Sequence, residues 1–219
     1  MNGLSEFAKT YYEQADIYQA FSEAEDREGV IWNELEPLFQ DKIVLDLGCG
    51  NGRYLQKINS VAKCSYGLEQ SVSQIQKGMK NLPFICGNAA QLPFSDNSFD
   101  FVFSSWVWGT VLDLEKREKI FQESLRVLKP SGSILLIEND AISEFEYLRG
   151  RFSNDKTQTY NDWILQHDFQ IQKKIHIWIS FPSLQIAQHV FQSIWSNHLI
   201  DLPKKDKISN HVLLFHYQK

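Results

Sequence analysis

The chain has few cysteines and no long apolar run. Its 219 residues include three cysteines, an odd number with no metal-site spacing, so we expect buried free thiols at Cys49, Cys64 and Cys86. Uninterrupted apolar stretches such as 134–137 have the length of a strand and are too short to span a bilayer. Residues 1–7 lack the basic start and the apolar stretch of a signal peptide. These absences predict a cytoplasmic protein that does not enter a membrane.

The chain also lacks an excess of positive charge. Lysine and arginine number 22 against 27 acidic residues, which gives a net charge of −5. A short basic run at 203–207 is typical of a solvated loop. We therefore predict no nucleic-acid partner. The six histidines all lie in the C-terminal third without zinc-site spacing, and we predict no metal site.

The middle of the chain alternates between short apolar runs and amphipathic segments. This alternation predicts an α/β protein with a Rossmann-like, doubly wound and mostly parallel sheet. The predicted strands are 43–47, 64–68, 83–86, 99–104 and 133–138, and the predicted helices are 52–60, 71–80 and 112–128. The segment 129–132, which contains Pro130 and Gly132, is predicted to end the last of these helices.

The two ends of the chain have other patterns. Apolar spacings of three and four predict two N-terminal helices, the second at 25–39 and the first carrying Phe7, Tyr11, Ala15, Tyr18 and Phe21. Later segments predict a helix at 159–167, a strand at 169–181, a helix that Pro182 opens and a last strand at 208–217. Two late strands joined by a helix predict an antiparallel C-terminal edge on the parallel sheet.

Residues 44–53, Val-Leu-Asp-Leu-Gly-Cys-Gly-Asn-Gly-Arg, place three alternating glycines after an acidic strand end. Glycines allow positive φ and let the backbone approach a ligand, and the free N–H groups at the start of the following helix face that ligand. Asp46 would repel a phosphate and attract a cationic amine. We therefore expect a nucleoside with an amino-acid tail rather than a pyrophosphate.

Glu69 ends the second predicted strand, about 20 residues beyond the glycine turn, where an acid can accept hydrogen bonds from both ribose hydroxyls. The alternative is a carboxylate at a helix N-terminus near Ser71. A dinucleotide fingerprint would need its third glycine at position 53, where the chain has Arg53. This mismatch disfavours a nicotinamide-dependent dehydrogenase.

Five ordered segments resemble the class I S-adenosylmethionine-dependent methyltransferases of the type 11, small-molecule-like family. Residues 46–52 resemble motif I of that family, and Glu69 resembles its ribose-binding acid. Residues 87–94, Gly-Asn-Ala-Ala-Gln-Leu-Pro-Phe, resemble the segment after its third strand, and 98–105 and 125–133 resemble its fourth strand and the approach to its fifth. The resemblance covers roughly residues 40–140. It implies a Rossmann-like fold, S-adenosyl-L-methionine as the cofactor and methyl transfer as the activity.

The resemblance also implies roles for particular residues. Asp46 would lie near the ammonium of the methionine part, Glu69 would bind the ribose and Gln70 would border the adenine. The backbone that holds the methionine part would come from Gly48, Cys49, Gly50 and Gly52. Asn88 and the Ala89 N–H would contact the adenine edge. The family usually has aspartate at position 88, and asparagine keeps an acceptor while losing the charge. The alternative for Asn88 is a plain turn residue.

Other parts of the chain complete the site that the resemblance implies. Ser104 ends the fourth predicted strand, where the transferable methyl would lie. Residues 15–21 resemble the lid of the family, in which Tyr18, with Tyr11 or Tyr12, would close over the cofactor; aromatic residues at helical spacing are also common in cores. We expect one domain of 219 residues, divided into a helical lid (1–40), a cofactor-binding core (41–140) and a substrate-side region (141–219).

The sequence does not identify a catalytic residue. Displacement at a sulfonium methyl depends mainly on alignment, so no strong acid or base is required. If the acceptor is a hydroxyl, Glu138, Asp140 and His176 are candidate bases, although strand-end carboxylates are also common in turns. Trp106 and Trp108 follow the fourth strand and either wall the acceptor or pack in the core.

The acceptor is the least determined part of the prediction. An acidic chain without a basic patch favours a small molecule, and a protein or peptide acceptor stays open, as does the oligomeric state. No N-P-P-Y, D-P-P-Y or Pro-Cys sequence occurs, which disfavours methylation of DNA bases. The alternatives are an S-adenosylmethionine-fold enzyme of other chemistry and an inactive cofactor-binding regulatory protein.

Overall fold

The computed structural model describes residues 14–151 and 156–219. Its helices are α1 (Ala15–Ala24), α2 (Val30–Phe39), α3 (Arg53–Val61), α4 (Val72–Lys77), α5 (Leu114–Val127), α6 (Glu144–Leu148), α7 (Lys156–Gln166) and α8 (Leu184–Trp195). Its strands are β1 (Ile43–Leu47), β2 (Cys64–Glu69), β3 (Phe84–Cys86), β4 (Phe99–Ser105), β5 (Leu128–Asn139), β6 (Gln170–Ser180) and β7 (Lys207–Gln218). A 3₁₀ turn at Trp108–Thr110 follows β4. Most predicted strands and helices are therefore confirmed to within a few residues.

The strands form a seven-stranded sheet in the order β3-β2-β1-β4-β5-β7-β6. β1 is parallel to β2 and to β4, and β2–β3 and β4–β5 are parallel pairs as well. β7 is antiparallel to β5, because Lys219 N donates to Gly132 O while Asp140 N donates to His211 O. This order confirms the doubly wound, mostly parallel sheet. The antiparallel C-terminal strand lies one position in from the edge, between β5 and β6.

The strand order reverses between β1 and β4. From β1 the chain continues outward through β2 and β3, then returns to place β4 on the other side of β1. In open parallel sheets, ligands bind at the carboxyl ends of the strands at such a switch point. The carboxyl end of β1 is the glycine turn, and that of β4 is the segment before Trp106.

The predicted end of the helix at 112–128 is confirmed to within one residue, whereas the strand that follows begins earlier than the predicted residue 133. Residues 129–132 lie within β5, which begins at Leu128 opposite Phe99, directly after α5 ends at Val127. Pairing resumes with Ser133 opposite Phe101, so the intervening residues form a bulge. Ser131 has a left-handed φ of +68° there. Pro130 and Gly132 therefore follow the end of the helix, as predicted, and also lie in the bulge of the strand.

Two short elements were missed by the sequence patterns. The helix α6 has five residues and begins at the N-cap Ser143, whose Oγ accepts from Glu146 N at 3.1 Å. The 3₁₀ turn at Trp108–Thr110 is too short to show a period. Both follow strand ends, where tertiary packing rather than periodicity decides the local conformation.

The prediction of three buried thiols is wrong in part. All three cysteines are free, but only Cys49 is buried, while Cys64 is half-buried and Cys86 is exposed. Cys86 is the last residue of β3, an edge strand of three residues. One face of a short edge strand remains in contact with water, which explains the exposed thiol.

The chain divides into two compact units. One unit consists of residues 33–137 and 215–219 and contains the glycine turn, and the other consists of residues 1–32 and 138–214. The predicted division of a single domain into 1–40, 41–140 and 141–219 stays a prediction.

The first unit is built on β1 and β4. Val44, Leu45, Val102 and Phe103 are fully buried in these strands. Phe103 packs edge-on against Phe39 of α2 at 5.5 Å between ring centroids. Each such buried side chain stabilises the fold by about 1.5–3 kcal/mol, so these strands hold the adjoining turns firmly in place.

The second unit has an aromatic core. Phe21 of α1 stacks on Phe145 at 5.7 Å and meets Trp195 edge-on at 5.1 Å. Phe191 of α8 packs against Phe145 and Trp195 at 5.9 and 5.0 Å. The apolar period that predicted α1 therefore reflects core packing at Phe21. Phe7, Tyr11 and Tyr12 lie outside the described residues.

Candidate cofactor site

The glycine turn is tied to the neighbouring strand. β1 ends at Leu47, and the N–H groups of Gly48 and Cys49 both donate to Leu68 O of β2, at 2.7 and 3.1 Å. Gly52 N then donates to Cys49 O at 2.9 Å, which closes the turn before α3 begins. The backbone of the turn is thus fixed by its own hydrogen bonds.

Two of the glycines have no substitute at their positions. Gly48 and Gly52 have φ of +77° and +87°, in the left-handed region that L side chains rarely adopt. A Cβ at Gly52 would also lie 2.6 Å from Phe84 Cζ, and one at Gly48 would overlap the methyl groups of Val107. Backbone conformation and close packing therefore both require glycine here.

Asp46 is a buried carboxylate with an unused acceptor. Its side chain is 2% exposed, and its Oδ2 atom has no hydrogen-bond partner among the described residues. Burial, together with the nearby Glu69 charge, raises the pKa of Asp46 to about 8, partly offset by Arg53 and by a hydrogen bond from the Leu55 N–H. A cationic donor would satisfy Oδ2 and restore the charge balance. The site therefore fits an ammonium group.

Glu69 fastens the turn to β2. Its buried carboxylate accepts from Gly50 N at 3.0 Å through Oε2 and from Ser71 N at 2.7 Å through Oε1. Ser71 is the N-cap of α4, and its Oγ accepts from Gln74 N at 3.4 Å. Glu69 is therefore also a carboxylate close to the N-terminus of α4, as the alternative interpretation of this residue predicted. A carboxylate has about four acceptor sites, so the bonds from Gly50 N and Ser71 N do not by themselves exclude ribose hydroxyls.

Cys49 contributes its backbone rather than its thiol. Its side chain is buried, and its Sγ would meet a Cβ at Gly67 at 2.6 Å. Burial raises the pKa of the Cys49 thiol, and the neighbouring charges of Asp46 and Glu69 raise it further. The thiol is therefore neutral and unreactive at physiological pH.

The residues assigned to adenine lie near the ends of β2 and β3. Gln70 is exposed directly after β2. Asn88 is exposed, and its Oδ1 accepts from Ala90 N at 3.0 Å while its backbone O accepts from Gln91 N at 3.0 Å. Asn88 therefore stabilises a turn, which agrees with the alternative interpretation of Asn88 as a turn residue. Ala89 is half-buried within that turn. Contacts of these residues with adenine stay predictions.

Ser104 and Tyr18 are the two predicted cofactor-binding residues that lie outside the end of β1, the glycine turn and the ends of β2 and β3. Ser104 is fully buried in β4, and its Oγ donates to Leu47 O of β1 at 2.8 Å, across the switch point. Its hydroxyl proton is therefore engaged in joining the two strands. Tyr18 is half-buried in α1, in the other compact unit. Its role as a lid residue stays a prediction.

The segment after β4 carries features that the sequence did not reveal. Trp106 is half-buried and has φ of +54°, a rare conformation for a bulky residue, with its N–H donating to Ile137 O at 2.8 Å. The Arg53 guanidinium lies 5.8 Å from the Trp106 ring centroid and 4.8 Å from that of Tyr54. No local pattern signals the contacts of Trp106 with Arg53 and Ile137, because they join distant parts of the chain.

The two tryptophans have different environments. Trp108 is fully buried and meets Phe121 edge-on at 6.2 Å, so it belongs to the core, as the alternative interpretation of this pair allowed. Trp106 is accessible in part. Only Trp106 can therefore contact a ligand.

The candidate bases all have partners in the second unit. Glu138 accepts from Tyr160 Oη at 2.9 Å, Asp140 forms an ion pair with Lys174, and His176 Nε2 lies 2.9 Å from Ser209 Oγ. Across the described residues, no group of three or more His, Cys, Asp or Glu side chains is arranged to hold a metal ion. Nor does this part of the chain contain a helix long and apolar enough to cross a membrane.

The fold and the glycine turn have the features of one known class of protein. A seven-stranded sheet with an antiparallel β7, a glycine turn after β1 and an acid at the end of β2 are the features of the class I methyltransferases. Residues 45–136 match the family described as the methyltransferase domain. Over these residues, which make up less than half of the chain, the chain is similar to that methyltransferase domain. The family implies S-adenosyl-L-methionine as cofactor, and the unpartnered Asp46 acceptor fits its ammonium group.

Relatives with known names share this segment. The chain is 34% identical over 113 residues to a malonyl-[acyl-carrier protein] O-methyltransferase from Marinomonas, across 45% of this chain and 38% of that protein. It is 30% identical over 142 residues to a tRNA (carboxymethyluridine(34)-5-O)-methyltransferase from Schizosaccharomyces pombe, across 64% and 60% of the two chains. The chain thus spans less than two thirds of the length of these curated relatives.

A solved structure agrees at the level of the fold. The YcgJ protein from Bacillus subtilis superposes with a TM-score of 0.60 at 18% identity, over 85% of this chain and 97% of that chain. At this identity the likeness establishes the fold alone.

Proposed function

We propose that the protein transfers a methyl group from S-adenosyl-L-methionine to a small-molecule acceptor. The observation that carries the proposal is the Asp46 carboxylate, which is buried at the end of β1 with one oxygen unpartnered, beside a glycine turn in left-handed conformation. A ligand with an ammonium group meets this need, and a pyrophosphate does not.

The chain's own residues would bind and orient the cofactor. Asp46 would hold the ammonium, the backbone of residues 48–52 would surround the methionine part, and Glu69 would accept from the ribose while it holds Gly50. When bound, the cofactor supplies an electrophilic methyl on a sulfonium. Fixing that methyl at the switch point between β1 and β4 would bring it into line with an acceptor, and alignment alone can supply much of the rate acceleration.

The small-molecule acceptor is supported by charge. A net charge of −5 gives the chain no overall electrostatic attraction for nucleic acid. The relatives bear names with different acceptors, a malonyl-acyl-carrier protein and a tRNA, so the names do not choose among acceptors. A tRNA acceptor would require salt-dependent binding of the protein to RNA, which a filter-binding assay measures.

Calorimetry tests the cofactor site. We expect S-adenosylmethionine and S-adenosylhomocysteine to bind the wild-type protein, and Gly50→Val or Glu69→Ala to weaken binding at least tenfold, since each change disrupts the Gly50 N–Glu69 bond. Absence of heat with the wild-type protein would refute the proposal. NADH in a parallel thermal-shift assay tests the dehydrogenase alternative.

Product analysis tests the chemistry. We expect S-adenosylhomocysteine to accumulate in step with a methylated product. Accumulation of methylthioadenosine would instead indicate aminopropyl-type transfer from the same fold. Binding without turnover across a broad panel of acceptors would favour the regulatory alternative.

A further inference from the structure

The half-buried Trp106 and Arg53, together with the buried ring of Tyr54, form a cluster next to the glycine turn, here named the Trp106 face. Arg53 and Tyr54 open α3, directly after the turn that ends β1, and Trp106 follows the end of β4. The two segments therefore lie on either side of the switch point between β1 and β4. All three residues belong to the unit that contains Asp46.

Packing holds the Trp106 face against the cofactor site. Val107, the neighbour of Trp106, contacts Gly48 so closely that no Cβ fits at Gly48. The positive φ of Trp106 is maintained by its N–H bond to Ile137 O. A bulky residue in this conformation carries strain that the surrounding structure must offset, and such strain is concentrated at functional sites.

Charge distinguishes this face from an ordinary aromatic patch. The Arg53 guanidinium lies over the Tyr54 ring and within 5.8 Å of the Trp106 centroid, and its charge acts on Asp46. A guanidinium presents N–H donors in a planar fork, a geometry that matches a carboxylate in bidentate fashion. The half-buried indole supplies an apolar surface for a planar group beside that carboxylate.

The segment around Trp106 contains no general base. Residues 104–112 include no titratable side chain. The Ser104 hydroxyl donates to Leu47 O and the Thr110 hydroxyl to Val107 O. Asp46 and Glu69 are assigned to the cofactor, and an arginine does not release its proton in proteins. This segment therefore offers no group to take a proton from a neutral hydroxyl, whereas an acceptor that is already an anion needs none.

We propose that the Trp106 face binds a planar carboxylic acid and that a carboxylate oxygen of this acid is the methyl acceptor. The inference rests on the proposed function and specifies its substrate class. The carboxylate oxygen forms a bond to the methyl carbon while the methyl–sulfur bond breaks, and the electron pair stays on sulfur. The products are a neutral methyl ester and a neutral thioether, and no proton is transferred. Because methylation removes the negative charge of the carboxylate, the ester is no longer attracted to Arg53, which favours its release.

Binding to the loaded protein is the first test. Cinnamate, benzoate and indole-3-acetate are titrated by calorimetry into protein saturated with S-adenosylhomocysteine, with cinnamamide and cinnamyl alcohol as uncharged controls. We expect at least one acid to bind and its uncharged counterparts to bind at least tenfold more weakly. If no acid binds while S-adenosylhomocysteine does, the inference fails and the proposed function stands.

Variants separate recognition of the acceptor from recognition of the cofactor. Arg53→Gln is expected to weaken acid binding at least tenfold. It is expected to weaken S-adenosylhomocysteine binding by a smaller factor, because the Arg53 charge also lowers the pKa of Asp46. Trp106→Phe is expected to have a smaller effect on acid binding than Trp106→Ala. Lys63→Gln removes an equal charge from an exposed site after α3 and is expected to change neither. An equal loss of cofactor affinity in Arg53→Gln would assign Arg53 to the cofactor's own carboxylate and overturn the inference.

Turnover gives an independent test. With methyl-deuterated S-adenosylmethionine, mass spectrometry is expected to detect the labelled methyl ester of an acid and no ether of cinnamyl alcohol. At saturating cofactor, kcat/KM for the acid is expected to be flat between pH 6 and 8.5, because no base takes part. Methylation of the alcohol, or a kcat/KM that rises with pH through a single ionisation, would overturn the inference.

Discussion

At the scale of single residues, Asp46 destabilises the fold and at the same time provides a binding group for the site. Its carboxyl is buried with one oxygen unpartnered, and its pKa is raised to about 8. An ionisable group in this state destabilises the protein in the absence of a ligand and is satisfied by a cationic one. The Asp46 carboxyl therefore lowers the stability of the protein without ligand and favours the binding of a cationic ligand.

Stability provides one test of Asp46. Because the carboxyl holds its proton in the folded state up to about pH 8 but ionises near pH 4 when unfolded, the free energy of unfolding falls as pH rises between these values. Asp46→Asn removes this dependence. We expect the variant without cofactor to be about 1–3 kcal/mol more stable than the wild type at pH 7.5 in urea titrations. An equal or lower stability would contradict the burial argument.

Cofactor binding provides the complementary test. The ammonium requires the ionised Asp46 carboxylate, so affinity should rise almost tenfold per pH unit from pH 6 towards 8. Above about pH 8 the α-amino group of the cofactor loses its own charge and affinity should fall. Calorimetry at half-unit intervals checks the profile. Asp46→Asn should bind weakly with little pH dependence below pH 8, and a wild-type affinity that is flat from pH 6 to 8 would exclude this role.

At the scale of elements, Arg126 of α5 ties the segment after β3 to its helix. Its guanidinium donates to Leu92 O at 3.0 Å and Phe94 O at 2.7 Å and pairs with Glu123 and Asp96. Hydrogen bonding to Arg126 lowers the pKa of Glu123. This network fixes the segment that carries Asn88, which no local sequence pattern in that segment can do.

Arg126→Ala tests the network. The loss of charge-assisted bonds to two carbonyls and a carboxylate is expected to reduce the free energy of unfolding by about 1–3 kcal/mol at pH 7. Arg126→Lys should recover little, because one ammonium cannot replace the planar fork. Lys119→Ala, at an exposed position of the same helix, is the matched control and should be neutral in urea titrations. Equal effects of the two alanine variants would show that the network contributes nothing.

At the scale of the whole molecule, the chain separates into two compact units, and the residues assigned to the cofactor fall in one of them apart from Tyr18. A ligand that binds only the folded protein stabilises it according to mass action. Hydrogen exchange should therefore slow most in residues 33–137 when the cofactor is added.

Thermal denaturation measures the size of this effect. S-adenosylhomocysteine at one hundred times its Kd should add about 2.7 kcal/mol and raise Tm by about 6–10 °C in a chain of this length. Glu69→Ala should show little increase at the same concentration. A wild-type Tm that does not respond to ligand would contradict the proposed site.

The sequence by itself determined the order of strands and helices, the glycine turn and the acid at the end of β2. These features depend on local periodicity and on the backbone freedom of glycine, both of which are visible in neighbouring residues. Only the tertiary structure decided which atoms are already engaged. The Ser104 hydroxyl donates to Leu47 O, the Glu69 carboxylate holds Gly50 N, and Asn88 shapes its own turn.

Tertiary structure also decided what lies beside the cofactor site. The contact of Val107 with Gly48 and the position of Arg53 near the Trp106 ring both join segments that are far apart in the chain. Such contacts arise when the sheet brings the carboxyl ends of β1 and β4 together. The methyl donor is therefore encoded locally in the glycine turn, whereas the surface proposed for the acceptor exists only once the strands pair.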